Sequence, residues 1–235
     1  MGQTNSITSL RRQMAVLEDG KKERRTPLTF GVEDIDTAIN GGLVAGRMHE
    51  VNGLAAWSLA IVLAGRAGGP VLWCERTGAG GTGRACHFGH RLYPPGCVPL
   101  GLQPQHLLMV ECRNQVDALW ASEEALRSGA VRMVVLESTE AVDLTAARRL
   151  QLAAEAGGGL GLMTGMGPGP VFPAAASRWR AEPDLEGCIS LQLTRSRAGT
   201  DGQWMVKWNE TARHLSVVSS PCRRTGNAVV AQCAR

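Results

Sequence analysis

The sequence predicts an α/β fold, a mostly parallel sheet flanked by helices and extended at its C-terminal end by an antiparallel hairpin. Three observations carry this. Short apolar runs at Met48–Val51, Val71–Cys74, Leu107–Val110, Met133–Leu136 and Leu160–Met163 alternate with helix-length segments, the pattern of β-α-β units around a buried parallel sheet. Beyond Gly165 the character changes to strand-like Ile189–Leu193, Gln203–Trp208 and His214–Val218, with the turn residues Ala198-Gly199-Thr200-Asp201-Gly202 between the first two. The chain has 235 residues, 44% of them hydrophobic and 20% charged, enough to bury one sizeable core.

The elements follow in order. Residues 1–26 are a polar leader in which Leu10, Met14 and Leu17 recur at helical spacing before the charged linker Lys21-Lys22-Glu23-Arg24-Arg25. One amphipathic helix is marginal alone, so it either docks on the main domain or serves a partner. Residues 27–220 form the core. Phe30-Gly31-Val32 opens a turn and a short helix, and Gly41-Gly42-Leu43-Val44-Ala45-Gly46-Arg47 leads into the strand Met48-His49-Glu50-Val51. Asn114 caps a helix whose expected apolar face is Val116, Leu119, Trp120 and Leu126, and Gly129 ends it. Asp143 caps the next helix, which Gly157-Gly158-Gly159 stops. A Gly/Pro-rich stretch from Met166 to Pro173 precedes Ser177-Arg178-Trp179-Arg180, and residues 221–235 read as a basic tail poor in core residues.

After the Met48–Val51 strand, a phosphate-binding loop would need G-x-x-x-x-G-K-[ST], so that backbone N–H groups wrap the phosphates, lysine meets the outer charges and the hydroxyl holds Mg²⁺. The chain has Asn52-Gly53-Leu54-Ala55-Ala56-Trp57-Ser58-Leu59 there, and its only lysines are Lys21, Lys22 and Lys207. Gly53 is the one remaining glycine, and the loop is degenerate. Glu75 and Glu137 end their strands at positions where a nucleotide hydrolase keeps its water-positioning and metal-linked acids. Each reads either as a vestige without a γ-phosphate to act on or as a strand-end carboxylate common to α/β folds.

Of 25 basic residues 22 are arginine, and the net charge is +4. Arginine suits bidentate contacts to phosphate or carboxylate, and GC-rich coding gives the same bias. Arg178, Arg180, Arg195, Arg197 and Lys207, near Trp204 and Trp208, form a candidate DNA-binding set. Interleaved bases and aromatics can track a nucleic-acid strand, or the tryptophans are core and the arginines a solvated rim. Seven cysteines contain no C-x-x-C pair, and His87, His90 and Cys86 are the only metal-like trio. No G-x-S-x-G elbow occurs. No signal peptide precedes the first turn, and the longest apolar stretch, from Leu54 to Gly65, is too short to span a bilayer before Arg66 ends it. A reduced, cytoplasmic protein without membrane partners is expected.

Several signatures in order carry a resemblance. They are Phe30-Gly31-Val32 through Gly41-Gly42-Leu43 and Gly46; His49-Glu50-Val51; Val71-Leu72-Trp73-Cys74; Leu92-Tyr93-Pro94-Pro95-Gly96; Ala118 to Arg127; Leu144 to Glu155; and Ser177-Arg178-Trp179-Arg180. Over about Pro27 to Val218 the chain resembles the ImuA family, RecA-related accessory proteins of damage-induced mutagenesis. The resemblance implies a RecA-like fold without its phosphate loop, no catalysis and no cofactor. It also implies a cytoplasmic role in the SOS response and translesion synthesis beside an ImuB-type polymerase homologue and an error-prone replicative-type polymerase, with RecA and DNA as further partners. A cell-division inhibitor of the SulA type and a DNA-dependent ATPase are the alternatives; the Leu144–Glu155 and Arg178-Trp179-Arg180 segments argue against the first and the lysine inventory against the second. The Gly78–Gly83 insert and the 221–235 tail have no counterpart in the resemblance.

Overall fold

A computed structural model describes residues 26–76, 91–138, 140–165, 172–184, 187–196 and 201–219. The leader residues Leu10, Met14 and Leu17, the Gly78–Gly83 insert, the Cys86, His87 and His90 trio, Arg197 and the 221–235 tail lie outside the described residues. Among the described residues nine strands form one sheet in the order β3-β2-β4-β5-β1-β6-β7-β8-β9. They are β1 Met48–Asn52, β2 Val71–Arg76, β3 Leu107–Cys112, β4 Met133–Glu137, β5 Leu160–Gly165, β6 Ser177–Pro183, β7 Cys188–Ser196, β8 Gly202–Asn209 and β9 His214–Ser219. Strands β1 to β6 pair in parallel, and β6 to β9 pair antiparallel. All five predicted parallel strands and the C-terminal hairpin are present, and the Ser177-Arg178-Trp179-Arg180 segment proves to be strand β6, hydrogen-bonded beside β1.

The helices are α1 Glu33–Ala38, α2 Ala56–Arg66, α3 Pro94–Cys97, α4 Gln115–Ser128 and α5 Leu144–Gly157. Helix α2, buried along nearly its whole length, packs with Phe30, Trp73, Trp179 and Trp204 in a core on one side of the sheet. Helices α4 and α5 close a second core on the other side with Met48, Cys74, Leu136 and Met163. A strand between two such layers is buried on both faces, which is why β4 is nearly continuous in hydrophobic residues, while β1, buried likewise, carries His49 and Glu50 and must satisfy them internally.

Local chemistry sets the element ends. The Asp36 carboxylate accepts the N–H groups of Phe30, Gly31 and Val32, so α1 caps the turn that precedes it. Asn114 Oδ1 accepts the Asp117 N–H at 2.9 Å and Asp143 Oδ1 the Ala146 N–H at 2.8 Å, as predicted for N-caps. Gly129 (φ 63°) and Gly158 (φ 78°) stop these helices in the left-handed conformation.

The predicted apolar face of α4 needs correction. Leu126 is buried and Leu119 half-buried against the core as expected, but Val116 and Trp120 are 74% and 61% exposed, and Ala118, Ser122 and Glu123 are buried in their place. The small residues bury this face against the sheet, where Ser122 Oγ donates to Cys74 Sγ of β2 at 3.4 Å, and buried Glu123 pairs with Arg127 of its own helix and with Arg149 of α5. Periodicity alone weighs hydrophobicity above size.

Candidate functional site

The turn between β1 and α2 comprises only Gly53, Leu54 and Ala55, and its amides are spent inside the protein. Gly53 N–H donates to Gly165 O at 3.1 Å, Ala55 N–H to Ala181 O at 3.0 Å and Ala56 N–H to Gly53 O at 3.1 Å. Leu54 N–H donates to Glu182 Oε2 at 3.2 Å, so a carboxylate of β6 occupies the helix N-terminus that an open loop would offer to a phosphate. Gly53 has φ 115°, and a Cβ there would run into the Ala181 carbonyl. The turn is therefore held against β6 rather than lifted away from it.

Beside the turn, Trp57 on α2 packs edge-on against Trp73 of β2, with ring centroids 5.9 Å apart. Trp73 Nε1–H donates to Glu137 Oε1 at 2.6 Å. Burial pushes the Glu137 carboxyl up to about 8; the Trp73 hydrogen bond lowers it in part, and the Glu75 charge adds to the rise. Strand register continues Cys74 opposite Leu136 to set Glu75 beside Glu137, and it pairs Glu137 with Thr164. Glu75, itself buried, accepts the Leu92 N–H at 2.6 Å and has Arg91 Nε at 4.0 Å. Glu75, next to the last residue of β2, thus ties the end of that strand to Arg91 and Leu92. Among the described residues no three His, Cys, Asp or Glu side chains gather as a metal site.

Two sequence signatures meet across the β1–β6 pairing. Glu50 stands opposite Arg178 and Val51 opposite Trp179. Fully buried Glu50 accepts from Arg178 Nε at 2.6 Å, Phe172 N–H at 3.1 Å and Asn52 Nδ2 at 2.7 Å. On the other face Trp179 Nε1–H donates to Ser177 Oγ at 2.9 Å, and Ser177 Oγ lies 2.7 Å from His49 Nδ1. His49 Nε2 lies 3.0 Å from Val44 O, which can only accept, so Nε2 carries the proton and Nδ1 receives the Ser177 hydroxyl. Burial lowers His49 to about 4, so it is neutral. Sequence reasoning missed this join; the signal was the complementary pair of Glu50 in one motif and Arg178 in the other.

The candidate DNA-binding residues consequently divide. Arg178 is committed to Glu50 and to Phe172 O, an internal role that takes the place of the predicted phosphate contact. Arg180, Arg195 and Lys207 are exposed. The register places them on one face of β6 to β8, Arg195 opposite Arg178, Arg180 opposite Gln192, and Lys207 opposite Cys188. Arg180 also pairs with Glu182 at 3.0 Å. Trp204 and Trp208 lie on the other face: Trp204 is buried 6.0 Å from Trp179, and half-buried Trp208 donates to Pro99 O at 3.1 Å. Trp204 and Trp208 thus belong to the core side of the sheet, and among the described residues no aromatic stacking platform accompanies the basic face.

No helix among the described residues is long and apolar enough to cross a membrane. No protein-family model matches the chain. Two curated relatives, each named Protein ImuA, from Caulobacter vibrioides strains NA1000 / CB15N and ATCC 19089 / CIP 103742 / CB 15, are 32% identical to it over 228 residues, covering 83% of this chain and 88% of each relative. With the fold, the degenerate phosphate turn and the joined His49-Glu50-Val51 and Ser177-Arg178-Trp179-Arg180 signatures, this identity places the chain in the ImuA family.

Proposed function

We propose that the protein is a non-catalytic RecA-like accessory factor of damage-induced mutagenesis, which binds an ImuB-type polymerase homologue and DNA in an assembly with an error-prone replicative-type polymerase. RecA is a further proposed partner, and the cytoplasm the proposed compartment. The observation that carries the non-catalytic part is the turn at Gly53, whose amides serve carbonyls and the Glu182 carboxylate. A nucleotide there would meet no lysine and would have to displace an acid. The exposed Arg180, Arg195 and Lys207 face supports DNA contact of the positioning kind, through phosphates and without sequence readout.

Equilibrium binding of a labelled ATP analogue, with and without single-stranded DNA, tests the first part, and capture of an ImuB-type protein from damaged cells tests the second. The expected results are no saturable micromolar nucleotide binding and specific capture. Nucleotide binding coupled to turnover overturns the accessory reading.

A further inference from the structure

Helices α4 and α5 lie side by side on one face of the sheet, and their outward surfaces depart from the polar pattern of a solvated helix face. Of the nine large hydrophobic side chains exposed among the described residues, four stand here: Val116 and Trp120 on α4, and Leu144 and Leu152, 69% and 49% exposed, on α5. Val116 and Trp120 are neighbours at four-residue spacing, and Leu144, Arg148 and Leu152 repeat that spacing on α5, so each helix carries a stripe. The Glu123–Arg149 pair ties the middle of one helix to the other and brings the stripes onto one surface. Apolar residues exposed singly are ordinary, whereas stripes on adjoining helices mark a contact.

The charges around the stripes do not balance. Arg127 and Arg149, both more than half exposed, share the one carboxylate of buried Glu123, so a positive charge is left over. Arg148 and Arg113 are exposed and meet no carboxylate among the described residues. The acids nearby are mostly spent. Asp117 is bonded to Asn114 and Glu155 to Arg47, which leaves Glu124 as the unpaired acid of the surface among the described residues. The net charge around Trp120 is therefore positive.

The shape selects the occupant. Along their outward faces both helices show side chains only, their backbone groups being bonded along the axes, so an added strand finds nothing to pair with and a third helix fits across the two. A second copy of this chain would set the same cations against each other. A nucleic-acid backbone would gain nothing from Val116, Leu144 and Leu152.

We propose that the outer surface of α4 and α5 docks a helix of the ImuB-type partner, one with an apolar stripe for Trp120, Val116 and Leu152 and carboxylates beside it for Arg127, Arg148 and Arg149. The proposal rests on the partner part of the function proposed above and gives that contact its place and chemistry.

The test measures binding of a purified ImuB-type protein, and of overlapping peptides that span its sequence, to the full-length parent, Trp120→Ser and Arg148→Glu. Both side chains are exposed, and an unchanged melting temperature verifies that each variant alters the surface alone. The expected result is roughly tenfold or greater loss for Trp120→Ser, as for an aromatic anchor, and about severalfold loss for Arg148→Glu, with a weaker salt dependence. The peptides that the parent holds and Trp120→Ser loses should be net acidic, with apolar residues at helical spacing. If the partner binds parent and variants alike, the surface falls and the partner reading stands. If only Trp120→Ser weakens, or the lost peptides are basic, the occupant is not an acidic helix and the proposal falls. If the variants lose affinity for single-stranded DNA and keep the partner, the surface is a nucleic-acid contact and the proposal falls. If the parent binds no ImuB-type protein, the proposal and the partner reading fall together.

Discussion

At the residue scale, two buried ionisable groups of opposite behaviour govern the pH response. The folded protein holds Glu137 protonated up to about 8, whereas its ordinary value is 4.5. Between those values the folded state keeps a proton that the unfolded chain has released, so stability falls as pH rises through that window and levels off above it. His49 works the other way. Lowered from 6.5 to about 4, it lets the unfolded chain bind the extra proton, so its contribution is complete above 6.5 and is lost as pH falls from 6.5 toward 4. The two windows overlap in acid and separate above 6.5. Thermal melts between pH 6.5 and 8 should therefore show the parent protein losing up to about 2 kcal/mol of stability, a slope that Glu137→Gln flattens. Parallel profiles for the two proteins would refute the assignment of a buried, protonated Glu137.

At the scale of elements, the strands are the most legible part of the sequence. Apolar runs buried on both faces read the same from either side, so their positions emerge within a residue or two, and the caps Asn114 and Asp143 are equally clear. Helix faces are less legible because small residues, Ala118 and Ser122, take the buried positions against the sheet that hydrophobicity assigns to Val116 and Trp120. The candidate site is legible as a loss, from the missing lysine and glycines. What replaces it is not, since the Glu182 carboxylate that meets Leu54 comes from a strand 128 residues away in sequence. A stability series on α4 checks the corrected face. Leu126→Ala should cost roughly 2–5 kcal/mol and Asn114→Ala about 1 kcal/mol, while Val116→Ser and Trp120→Ser should stay within about 0.5 kcal/mol in denaturant unfolding. A large loss for Trp120→Ser would return Val116 and Trp120 to the packed face.

Over the whole molecule, two features lie apart: the closed turn where the parallel strands end, and the Arg180, Arg195 and Lys207 face along the antiparallel extension. The leader's apolar residues Leu10, Met14 and Leu17 precede the basic run Lys21 to Arg25 in the sequence. Deleting residues 1–20 should leave a core with an unchanged melting temperature and unchanged DNA affinity but weaker capture of the ImuB-type partner. Loss of cooperative unfolding in the truncated protein would instead make the leader part of the core, and loss of DNA affinity would extend the DNA contact from the Arg180, Arg195 and Lys207 face to the leader.

The turn at Gly53 also bears on ancestry and control. Its amides are bonded to β5 and β6 as well as within the turn, and the Ala181 carbonyl and the Glu182 carboxylate press against it. Returning a lysine alone would place it at a turn with no vacant donors and an acid already seated, so the strand would have to change before the loop could. Reversion thus requires several coordinated substitutions, none useful by itself. On the proposed reading the protein has no hydrolytic clock to dissolve its complexes, and how long an assembly persists depends on supply, turnover and competition among its partners.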